Sequence, residues 1–137
     1  MKKIFLALAM FICSMGMNAQ TQEIKSDYTR TFKIDAVCID LNQNGEVDEG
    51  EYGMVKDGKK VYANIDYHHF GSAGNMLTFV LKVNDKSYRS NFNNVTFGKK
   101  DEIFFMIDSV GDDIARVSYD KEIGLWMLVV FNLSLLD

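Results

Sequence analysis

The chain has no proline and only two cysteines and two histidines among its 137 residues, and each scarcity removes a class of protein. Cys13 lies in an N-terminal apolar run, so Cys38 is the only cysteine beyond that run. An intramolecular disulfide framework is therefore excluded, and so is a zinc site built on repeated Cys/His spacing. A lone cysteine in an apolar strand reads as a small hydrophobe to be buried. Without proline, sheet edges must be protected by charge or by closure. Lys59, Lys60, Lys99 and Lys100 stand near strand ends and suit that task.

Long apolar runs are also scarce. The longest near the N-terminus, Ile4 to Ile12, falls short of the about 20 residues that a membrane span needs. It follows Lys2 and Lys3 and leads to Met17-Asn18-Ala19, which is the layout of a cleavable secretory signal peptide, helical in its apolar part, over residues 1–19. Cys13 follows Ile12 rather than a small residue, so a lipid anchor there is not expected. Residues 20–137 then form one exported domain, periplasmic or extracellular, with no membrane span. Without Lys2 and Lys3, 13 basic residues face 19 acidic ones, a net charge near −6. Such a surface repels phosphate backbones and argues against nucleic acid as a partner.

Helical periodicity is missing as well. From Tyr28 onward, stretches rich in aromatic and β-branched residues are separated by turn signals about ten residues apart. Thr31 to Ile39 alternates, with Phe32, Ile34, Ala36 and Cys38 on one face, and predicts one half-buried strand. Asp57-Gly58 predicts a hairpin between 52–56 and 59–67, and Asn84-Asp85 predicts another between 76–83 and 86–92. Turns at Gly98–Asp101, Gly111–Asp113 and Asp120–Gly124 then separate strands near 102–109, 114–119 and 125–135. Leu125 to Leu136 is almost wholly apolar and predicts a central strand buried on both faces. The expected fold is all-β: a single-domain antiparallel meander of seven or eight strands, closed as a lipocalin-like barrel or folded as a sandwich.

One stretch carries specific chemistry. Asp40-Leu41-Asn42-Gln43-Asn44-Gly45-Glu46-Val47-Asp48-Glu49-Gly50-Glu51 resembles an EF-hand calcium loop at every constrained position. The resemblance implies Ca²⁺ held by side-chain oxygens of Asp40, Asn42 and Asn44, by the backbone carbonyl of Glu46, by Asp48 directly or through water, and by a bidentate Glu51. Gly45 would make the sharp turn, Val47 the short strand of the loop, and Tyr52 the apolar residue after the last ligand. The local charge agrees, since Asp35, Asp40, Glu46, Asp48, Glu49 and Glu51 lie between Lys33 and Lys56 with no basic residue among them. The flanks do not extend the resemblance. Thr29 to Ile39 has period two, and Gly50, Gly53 and Gly58 each disfavour a helix by about 1 kcal/mol relative to Ala. The expectation is thus a calcium loop grafted between strands, without the helix opening of a sensor. The alternative is a plain hairpin turning at Asn44-Gly45, with a solvated acidic face.

Other candidates are weaker. His68 and His69 are adjacent in a strand, point to opposite faces, and read as packing beside Tyr67 and Phe70. Gly71-Ser72-Ala73-Gly74 lacks the spacing of a nucleophile elbow. Asp112 and Asp113 beside Gly111 read as a turn with solvated acids. Phe79, Phe104, Phe105 and Trp126 read as core, or as the lining of a ligand cavity in a barrel. No catalytic constellation is recognisable, so an enzyme is not expected. Three functions remain: a calcium-binding protein with a structural or interaction role, a lipocalin-like carrier of a small apolar ligand, and a metal-free exported inhibitor or interaction module acting on another protein.

Overall fold

The computed structural model describes residues 22–44, 48, 50, 52–56 and 58–137. The expected signal peptide, residues 1–19, lies outside them. Eleven strands follow one another: β1 (Gln22–Glu23), β2 (Tyr28–Lys33), β3 (Ala36–Ile39), β4 (Tyr52–Met54), β5 (Val61–His69), β6 (Asn75–Val83), β7 (Lys86–Asn93), β8 (Thr96–Lys100), β9 (Ile103–Ile107), β10 (Asp113–Asp120) and β11 (Leu125–Val130). No α-helix occurs among the described residues, and the only helical turns there are 3₁₀ turns at Gly71–Ala73 and Leu133–Leu136.

The strands form two sheets. One has seven strands in the order β1-β8-β9-β10-β11-β3-β4, and the other has four in the order β2-β5-β6-β7. Neither sheet closes on itself, so of the two expected architectures the arrangement is sandwich-like and not a lipocalin-like barrel. It is also not a simple meander, because β3 lies parallel to β11, with Val37 opposite Leu128 and Cys38 opposite Val129.

Side-chain alternation fills the space between the sheets. Phe32, Ile65, Leu77 and Phe79 from the smaller sheet meet Phe97, Phe104, Val117 and Leu128 from the larger one in the main core. Aromatic rings knit it together, with centroids 5.0 Å apart for Tyr67–Phe97 and 5.2 Å for Phe32–Phe104; such pairs add about 0.5–1.5 kcal/mol each beyond the area they bury. Burial pushes the Tyr67 phenol above its ordinary pKa, and the charge of Glu23 acts in the same direction against a hydrogen bond to Asn75. A second buried cluster of Ala36, Cys38, Met127, Val129 and Phe131 occupies the other face of the seven-stranded sheet. β11 is therefore buried on both faces and lies between β10 and β3, as expected, but it ends at Val130, and Leu133–Leu136, expected to continue the strand, form a 3₁₀ turn.

Four expectations need correction. The stretch 31–39 is two strands in two sheets, broken at Ile34-Asp35. Ile34 N–H donates to Val61 O in one sheet and Asp35 N–H donates to Trp126 O in the other. Phe32 and Ile34 thus enter the main core, whereas Ala36 and Cys38 join the second cluster. The hairpin expected at Asp57-Gly58 does not form either. β4 pairs with β3, and β5 pairs with β2 and β6, so the chain changes sheets between Met54 and Val61. Finally, Gly98 is inside β8, opposite Phe105, and the turn falls at Asp101, whose φ is +52°. Lys100, expected as a solvated edge charge, is buried at 6% exposure. These corners and the strand at 96–100 raise the count above seven or eight. The Asn84-Asp85 hairpin does form, with Val83 opposite Lys86 and Asn84 at φ +55°.

Candidate metal centre

The chain leaves β3 at Ile39, and Asp40 is pinned at once: its N–H donates to Val130 O at 2.9 Å, and the residue is 2% exposed. Leu41 and Asn42 then form a turn, and Gln43 takes a left-handed conformation with φ +58°. The Gln43 side-chain amide donates to Asp40 O at 2.8 Å and to Phe131 O at 3.0 Å, which ties the start of the loop to the end of β11. The Asn44 N–H is shared between Asp40 Oδ1 and Asn42 Oδ1, both at 3.3 Å.

Asp48 completes the group. Its Oδ2 accepts from Asn42 Nδ2 at 2.8 Å and from Asn44 Nδ2 at 2.7 Å. Four of the six candidate ligands, Asp40, Asn42, Asn44 and Asp48, are thereby drawn together by direct hydrogen bonds. Glu46 and Glu51 lie outside the described residues, as do Gly45, Val47 and the side chain of Tyr52. The ladder between β3 and β4 pairs Ala36 with Met54, Val37 with Gly53 and Cys38 with Tyr52. Residues 40–44 beyond it hold a turn at 41–42 and a bend at 44, and no continuing strand. Among the described residues no three His, Cys, Asp or Glu side chains form a metal cage. Half of the group gathered here is asparagine.

Topology adds an acidic wall that the motif does not contain. Because β11 runs antiparallel to β10 and parallel to β3, the turn between β9 and β10 stands at the same end of the sheet as the 40–51 loop. Asp40, Gln43, Asp108, Asp112, Asp113, Phe131 and Asn132 line one cavity of about 420 Å³ there. Asp108 Oδ1 caps the turn, accepting from Val110 N–H at 3.0 Å and Asp112 N–H at 2.9 Å. Asp113 is paired with Arg116 at 3.2 Å, and the Arg116 guanidinium lies 4.6 Å from the centroid of the Phe131 ring. In sequence Asp112 reads as a turn former and Asp108 falls within the strand expected near 102–109; nothing local indicates that they share a cavity with Asp40. Carboxylates converging on one concave region concentrate negative potential and attract cations.

No protein-family model, curated protein or solved structure matches this chain. His68 lies in β5 with Nε2 3.1 Å from Asp66 Oδ1 and Nδ1 3.9 Å from Asp27 Oδ2, and its ring stacks on Phe70 at 6.4 Å. His69 accepts from Gly71 N–H at 3.2 Å through Nδ1. The two histidines serve different neighbours, and Gly71–Ala73 is a short 3₁₀ turn.

Proposed function

We propose that this chain is an exported calcium-binding protein whose single EF-hand-like loop, residues 40–51, has a structural or interaction role. The observation that carries the reading is the hydrogen-bonded group of Asp40, Asn42, Asn44 and Asp48 in a loop between two antiparallel strands. These are oxygen-bearing side chains at loop positions one, three, five and nine, the donor type that hard Ca²⁺ requires. Each asparagine amide presents nitrogen to Asp48, and a half-turn about its last side-chain bond presents oxygen instead, so both can change from donors to ligands without moving the backbone. Glu46 would add its carbonyl, and Glu51 a bidentate carboxylate. The acidic wall from the β9–β10 turn favours cation entry, and export favours occupancy, since extracellular calcium modules work at dissociation constants of about 10⁻⁴–10⁻³ M.

The loop joins two strands, so calcium here would order a segment and stabilise the fold by mass action rather than swing helices apart. Isothermal titration of the purified protein with CaCl₂ should show one site in that affinity range, and Glu51→Gln should weaken it by at least about tenfold. Absence of both binding heat and a calcium-dependent thermal shift would sink the proposal.

A further inference from the structure

We propose that a second site, an apolar cleft at the β4 end of the sandwich, binds a free single-chain fatty-acid carboxylate. The cleft exists because the sheets do not cover each other equally. The larger sheet ends in β4, only three residues long, whereas the facing strands β5 and β6 have nine residues each. The uncovered interior is a cavity of about 420 Å³ whose walls include Val37, Ile39, Val61, Leu81, Val83 and Leu136. That volume lies in the range of small-molecule sites, about 300–1,000 Å³, and the lining is of the apolar kind such sites use. Gly53 also faces it; a side chain there would begin in open space, with only Val37 O within 4 Å, at 3.9 Å.

The charge at the mouth selects the ligand. Lys56 and Lys59 line the cleft, both are exposed, and the bond from Lys59 N–H to Lys56 O at 3.1 Å holds them on one tight turn. Neither ammonium has an ion-pair partner among the described residues. Two exposed cationic residues on the lining of an apolar cavity, on a protein of net negative charge, complement an apolar chain that ends in one anionic group. The cleft shares no lining residue with the acidic cavity at Asp40, although Gly50 of the 40–51 loop lines it, and this inference does not rest on calcium.

The test is fluorescence titration of the purified protein with dansyl-undecanoate, in calcium and in EDTA, alongside the methyl ester of the same probe and phosphatidylglycerol vesicles. Saturable enhancement with the carboxylate, displaced by oleate, is expected. Lys56→Glu with Lys59→Glu should weaken carboxylate binding about fivefold, as expected for two exposed ion pairs, and leave the ester unchanged. Gly53→Leu should abolish both by filling the cleft. The lysine variants lie on the surface and decide the matter even if the glycine variant does not fold. No saturable binding, equal loss of ester and carboxylate in the lysine variants, undiminished binding by folded Gly53→Leu, or binding to vesicles alone would each overturn the proposal.

Discussion

Gln43 holds the candidate loop more directly than any residue the motif would single out. It is a variable position in the ligand pattern, yet its amide bridges Asp40 O and Phe131 O from a left-handed backbone. Two partly buried hydrogen bonds are worth about 1–2 kcal/mol together. Gln43→Ala should therefore lower calcium-free stability by about that amount in urea unfolding, and an unchanged midpoint would show that the bridge is not formed in solution. At this scale the sequence carries the pattern of candidate ligands and is silent about what supports them. Asp40, Asn42, Asn44 and Asp48 stand at their positions by pattern, whereas the partner of Gln43 lies 88 residues away. The same distance hides Asp108 and Asp112, which reach the Asp40 cavity only through the order of strands β10, β11 and β3.

Among the strands, local signals predicted reversal of the chain better than they predicted pairing. Asn84-Asp85 and Asp57-Gly58 are equally good hairpin dipeptides, but only the first joins neighbours in one sheet. At the second, the three residues of β4 already pair with β3, and the next apolar run finds its partners in the opposite sheet. The corner at Ile34-Asp35 was hidden for a related reason: alternation continues through it while the sheet changes, so period two looks unbroken. Gly98 misled in the other direction. A glycine among lysines reads as a turn, but in β8 it makes room for the ring of Phe105 on the neighbouring strand, which would lie 2.3 Å from an added Cβ. Gly98→Ala should displace that ring and cost about 1–3 kcal/mol, the usual penalty of overpacking. Chemical denaturation measures it, and wild-type stability would mean that the ring does not lie over the strand.

Over the described residues, composition and periodicity were enough for an all-β domain with a doubly buried β11. They could not choose between barrel and sandwich, because closure depends on which edges meet, and only long-range pairing decides that. The two-sheet solution has two consequences for function. It brings the end of β3, the end of β11 and the β9–β10 turn to one pole, where the candidate loop and its acidic neighbours lie. It also leaves the short β4 edge open over the apolar cleft.

A crystal structure of the protein grown in millimolar CaCl₂ tests the calcium reading most directly. The account predicts one ion with six to eight oxygen ligands at about 2.3–2.6 Å. They would include Asp40, Asn42, Asn44 and both carboxylate oxygens of Glu51, with the two asparagine amides turned away from their bonds to Asp48. A loop without an ion, in which Asn42 and Asn44 still donate to Asp48, would contradict it.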